Sequence, residues 1–125
     1  MASHQPVWLE VALNGPWSRQ RQPGIPVTAD DIVNEALACA AEGASIVHLH
    51  AYDPLTGRQR DDYDIYAPIM ERIRSQSDVI CYGTLPFLGD QDALSPMTAA
   101  QRFSAVEKLV RAGRTEEHTS ELQSH

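Results

Sequence analysis

Three short β-prone apolar runs alternate with three stretches of helical period, and this order restricts the folds open to the chain. Val7 to Leu13 (VWLEVAL) reads as a first strand, broken by Asn14-Gly15-Pro16. A polar loop through Gln22-Pro23-Gly24-Ile25-Pro26 leads to Thr28, which is placed as a helix N-cap. Asp30 and Asp31 favour the positive end of that helix. Ile32, Ala36, Leu37 and Ala40 share one helical face, and Gly43 stands where a C-cap belongs. Ser45 to His50 is the second predicted strand.

A second helix begins between Asp61 and Asp64, with Ile65, Ile69 and Ile73 as its apolar stripe. Pro68 is tolerable only in a first turn, so the sequence predicts a late start or a kink. Asp78 to Thr84 (DVICYGT) reads as a third strand, followed by a mouth-like loop, Leu85 to Asp90. A third helix is expected from Pro96 or Thr98 to Ala112, with Phe103, Val106, Leu109 and Val110 facing a core and Gly113 as C-cap. The order βαβαβα implies a parallel sheet with right-handed crossovers.

Length and charge narrow the options further. A chain of 125 residues suits one modest domain. A net charge of −7 argues against nucleic acid or an anionic membrane surface as partner. No apolar run approaches the roughly 18–20 residues of a membrane span, and the N-terminus lacks a signal-peptide pattern. The expected location is the cytoplasm. Cys39 and Cys81 read as small buried hydrophobes in a reducing compartment rather than as a disulfide.

His48-Leu49-His50 closes the second strand. Residues two apart on a strand share a face, so the two imidazoles point the same way where the strand runs out. That arrangement offers two nitrogen ligands to one divalent metal, and neutral imidazole suits zinc. The alternative is a pair of hydrogen-bonded rim or core residues. A strand end followed by a polar turn, here Ala51 to Gly57, is also where an α/β barrel keeps its chemistry.

The last twelve residues, RTEEHTSELQSH, have no apolar period and only Leu122 as an aliphatic. They resemble the conceptual translation of a common sequencing-library adapter, differing at Thr115. Residues 114–125 are therefore read as a non-native tail and excluded from fold reasoning, together with His118 and His125. Residues 1–113 are read as a partial domain, because a (β/α)₈ barrel needs about 250 residues.

Leu13-Asn14-Gly15, Pro26-Val27-Thr28, the run from Glu42 to Pro54 and Thr56-Gly57-Arg58 together resemble the start of the beta-keto acid cleavage enzyme family, first described as 3-keto-5-aminohexanoate cleavage enzyme. The resemblance implies the N-terminal (βα)₃ portion of a TIM barrel, truncated. It implies a catalytic zinc ion and retro-Claisen cleavage of a β-keto acid. It further implies acyl transfer involving acetyl-CoA, giving acetoacetate and a CoA ester. The full-length parent would be a homo-oligomer, and this fragment alone would be inactive. His48 and His50 match two zinc ligands of the family, while the third, a Glu from late in the barrel, has no counterpart here. Trp17 stands where some members carry a Glu. Tyr52 replaces a frequent Arg, and Gly83, followed by Thr84, replaces a substrate-binding Ser.

Further site residues follow from position. Glu10 shares a strand face with Ala12 and Asn14, and is expected in the lumen as a proton relay or substrate contact, unless that face is reversed or the carboxylate is paired. Asn14 and Thr84 are expected to bind substrate. Arg19 and Arg21, in the first mouth loop, suit a substrate carboxylate. Asp53 is placed either behind a His ring or as a cap on the turn before Pro54. Two other functions fit the same residues: a different metal-dependent TIM-barrel hydrolase or lyase, and a non-enzymatic small α/β binding module.

Overall fold

The computed structural model describes residues 5–85 and 97–113. The predicted mouth loop after Leu85, the Pro96 start of the third helix and the tail from residue 114 lie outside these residues. The described chain runs β1 (Glu10–Ala12), α1 (Ala29–Ala41), β2 (Ile46–His48), α2 (Tyr63–Arg74), β3 (Ile80–Tyr82) and α3 (Ala99–Arg111). The strands form a parallel sheet in the order β1-β2-β3. Glu10, Ile46 and Ile80 are in register, as are Val11, Val47 and Cys81, and Ala12, His48 and Tyr82.

Each strand is shorter than the apolar run that encodes it. Val7 and Trp8 are 82% and 72% exposed, and neither lies in a strand. The Leu9 carbonyl already accepts the amides of Ser45 and Ile46, so β2 begins opposite the end of the VWL run. The earlier residues have no neighbouring strand to pair with among the described residues.

The helices cover one face of the sheet. Val47, Leu49, Cys81 and Val79 pack against Ile32, Val33 and Ala36 of α1 and Tyr66, Ile69, Met70 and Ile73 of α2. Burying a side chain of this size contributes roughly 1.5–3 kcal/mol, so this layer supplies the main stabilisation. Sequential strand order with all three helices linked to one core is compatible with a βα-repeat segment of a barrel.

Local signals account for the helix ends. Thr28 Oγ1 accepts the Asp31 amide at 3.1 Å, as its placement as N-cap predicts. Thr98 forms a capping box with Gln101. Gly43 and Gly113, with φ of 111° and 68°, take the left-handed conformation that ends α1 and α3.

α2 begins at Tyr63, within the predicted Asp61 to Asp64 start, and runs through Pro68, so the late start is overturned. Pro68 is exposed, so the Asp64 carbonyl that loses its intrahelical partner faces solvent rather than core. Phe103 does not face a core; it is 48% exposed. α3 packs on α2 through Ala105 and Leu109, and Phe103 lies about 200° around the helix from Ala105.

Candidate metal centre at the strand ends

β2 ends at His48, and His50 sits two residues beyond on the same side of the chain. The rings stand edge to face with centroids 5.0 Å apart. The Nδ1 atoms of both rings are buried without a hydrogen-bond partner. Buried polar atoms are otherwise nearly always paired, so two neighbouring orphans of this kind fit a cation held between them. The described residues contain no cluster of three His, Cys, Asp or Glu able to complete such a site. Burial pushes the His50 imidazole down to about 4, with a smaller contribution from His48. Burial also lowers His48, against an opposing pull from Glu10 and from the Tyr82 backbone. Both rings are therefore neutral at pH 7, the form that binds metal.

A hydrogen-bonded frame fixes this corner. Asn14 Nδ2 donates to the carbonyls of His50 at 2.9 Å and Pro26 at 3.1 Å. The His50 amide donates to Asn14 Oδ1 at 2.9 Å. The side chain thus continues the β1–β2 pairing after the strands have ended. Asn14 itself is 4% exposed, and both its N–H groups point to backbone. Tyr52 returns the connection: its hydroxyl lies 2.5 Å from the carbonyls of Gly15 and Trp17. Burial, and then Asp61, push that phenol up to about 12.

The end of β3 is held from below. Tyr66 donates its hydroxyl to Asp61 at 2.5 Å and accepts the Thr84 amide at 3.3 Å. Gln59 also donates to Asp61, at 2.7 Å. Burial raises the Asp61 carboxyl above its ordinary range, while these two donors oppose the shift. Gly83 is required by close approach, since a Cβ there would fall 2.7 Å from Tyr66 Cε1. Tyr66 and Asp61 escape a reading of the sequence, because a helical tyrosine facing a core carries no signal of which loop its hydroxyl will meet.

The remaining predicted residues are placed as follows. The Glu10 carboxylate accepts the Tyr82 hydroxyl on the open face of the sheet, the face that carries His48. Arg19 is exposed beside Gly57, and Arg21 stacks 5.4 Å from the Trp17 ring centre. Asp53 caps its own turn: Oδ1 accepts the Leu55 amide at 2.8 Å, and Oδ2 lies 3.7 Å from Arg60. Cys39 and Cys81 are not disulfide-bonded, and they are half-buried and buried respectively. A cavity of about 390 Å³ between α2 and α3 is lined by Arg60, Tyr63, Gln101 and Lys108 and contains neither histidine. No helix among the described residues is long and apolar enough to cross a membrane.

Comparison with known proteins gives these features a context. Over 58 residues the chain is 41% identical to 3,5-dioxohexanoate:acetyl-CoA acetone transferase of Paraburkholderia graminis, covering 46% of this chain and 19% of that protein. Over 67 residues it is 39% identical to 3-dehydrocarnitine:acetyl-CoA trimethylamine transferase of Rhizobium meliloti, covering 53% of this chain and 22% of that protein. The chain thus spans about a fifth of the length of the curated relatives it matches. The family model described as beta-keto acid cleavage enzyme matches residues 6–120, nearly the whole sequence, including the strand-end histidines. The chain belongs to the beta-keto acid cleavage enzyme family.

Proposed function

We propose that the protein to which this chain belongs cleaves a β-keto acid with acetyl-CoA as co-substrate, giving acetoacetate and a CoA ester, and that His48 and His50 are two ligands of its zinc ion. The observation that carries the metal reading is the pair of buried, unpartnered Nδ1 atoms on two adjacent rings. Family membership and two relatives named as acetyl-CoA transferases support the reaction type. When bound, zinc supplies Lewis-acid polarisation of a carbonyl oxygen. The chain's own residues do the positioning. Asn14 fixes the His50 backbone from both sides, and burial keeps both imidazoles neutral and ready to donate a lone pair. Arg19 is the proposed partner of a substrate carboxylate, and Thr84 lines the substrate side of the β3 end. The third zinc ligand is a carboxylate from a later barrel strand, so residues 1–113 form an incomplete site. Residues 114–125 are a foreign tail in this reading, and the genomic frame downstream of Gly113 tests that part directly.

The test of function pairs two measurements on the 125-residue chain. Zinc uptake, followed by competition with a chromophoric chelator, is expected and is lost in His48→Ala. Acetyl-CoA-dependent cleavage of β-keto acids is expected to stay at background. Zinc uptake that persists in either His48→Ala or His50→Ala would sink the ligand assignment, and turnover by the chain alone would sink the incomplete-site reading.

A further inference from the structure

Tyr82 and Glu10 stand on strands that do not touch, yet their side chains meet. Neighbouring strands lie about 4.8 Å apart, so β1 and β3, with β2 between them, are separated by roughly twice that. Tyr82 closes the gap by reaching across β2 and donating its hydroxyl to the Glu10 carboxylate. His48 lies beneath this bridge: it is the β2 residue in register with Tyr82, and the two rings lie 4.5 Å apart at an interplanar angle of 35°. The register explains why Glu10 is the partner. Glu10 pairs with Ile46, one alternation behind His48, so a tyrosine leaning back over the middle strand delivers its oxygen to that position.

We propose that Tyr82, anchored by Glu10, is a positioning residue that sets the ring of His48 for metal binding. This rests on the reading of His48 as a ligand. His48 is half-exposed on a face without a covering layer among the described residues, so beyond its hydrogen bond to the Tyr82 backbone its ring has rotamers to choose from. The tyrosine face removes the rotamers that swing the imidazole toward β3 and leaves the orientation that meets His50. Glu10 removes the corresponding freedom from Tyr82. Without the carboxylate, the phenol turns to solvent and the ring below it is released. Glu10 thus serves the site through Tyr82 rather than by touching substrate.

Cobalt(II) titration of the full 125-residue chain tests this, read by the visible absorption of the bound ion and by His48 ring proton shifts in the metal-free chain. Tyr82→Leu is expected to weaken cobalt affinity about tenfold, the lower end of what loss of a ligand-orienting neighbour costs. It should also abolish the upfield ring-current shift of the His48 protons. Glu10→Gln and Tyr82→Phe each weaken affinity several-fold, and the double variant is no weaker than either alone, because both remove the same anchor. Tyr82→Phe keeps the ring and its stacking, so it separates lost anchoring from a damaged fold. Cobalt uptake that needs His48 but is unchanged in Tyr82→Leu and Glu10→Gln overturns the proposal and leaves the ligand assignment standing. Absence of cobalt uptake by the unmodified chain, or uptake that survives His48→Ala, overturns the ligand assignment, and the positioning role falls with it.

Discussion

The two faces of the sheet are written by alternate residues of the same strands, yet they obey different rules. Val47, Leu49 and Cys81 are fully buried against α1 and α2, where shape and apolar area decide everything. Glu10, Ile46, His48 and Tyr82 look the other way and are exposed or half-exposed; a hydrogen bond joins Tyr82 to Glu10, and ring stacking joins it to His48. One face holds the chain together. The other is free to carry chemistry, because little of the fold's stability depends on it. Period-two alternation makes this division possible without any change of strand position.

The largest break in that comparison comes from Leu49, which lies between the two histidines but points into the core. Leu49→Ala should cost about 2–5 kcal/mol in denaturant unfolding. His48→Ala, one residue away, should cost less than about 1 kcal/mol while removing metal uptake. Equal losses from the two substitutions would show that the open face is structural after all.

The next effect tests where the faces meet. Gly83→Ser forces a Cβ into the Tyr66 ring and should destabilise by roughly 1–3 kcal/mol, as overpacked sites do. A variant as stable as the parent chain would show that Tyr66 gives way, and with it the hold on Thr84.

Acidification sharpens the contrast further. His50 has its imidazole lowered to about 4 by burial, against 6.5 when unfolded. Above pH 6.5 the ring is neutral in both states and stability is at its full value. Between 6.5 and about 4 the unfolded chain binds a proton that the folded chain resists, so stability falls as pH falls. Melting curves from pH 7.5 to 4.5 should show this loss, and His50→Gln should flatten it. An unchanged slope in that variant would remove His50 as the source.

The smallest effect lies far from both faces. Thr98→Ala removes the capping box of α3 and should cost about 1 kcal/mol, with metal uptake unaltered.

Much of the fold was legible because its signals are local. Thr28, Thr98, Gly43 and Gly113 mark helix ends through hydrogen bonds and φ values set within a few residues. The paired histidines were legible for the same reason, since alternation alone puts them on one side. Strand lengths were not legible: Val7-Trp8-Leu9 is as β-prone as any strand, but pairing ends where the neighbour begins. Phe103 was misread because helical period shows which residues share a face, not which face finds a partner. The late helix start that Pro68 suggests does not occur, because the cost of that proline depends on whether the orphaned carbonyl meets core or solvent.

The sequence by itself determined the order of elements, the helix caps and the common direction of His48 and His50, all governed by covalent geometry and neighbours within one turn. Only the tertiary structure decided that Asn14 would clamp the His50 backbone, that Tyr66 would hold Thr84 and that Tyr82 would cross a strand to reach Glu10. Those partners lie 36, 18 and 72 residues apart. Their meeting is set by strand register and helix packing, which depend on the whole core at once.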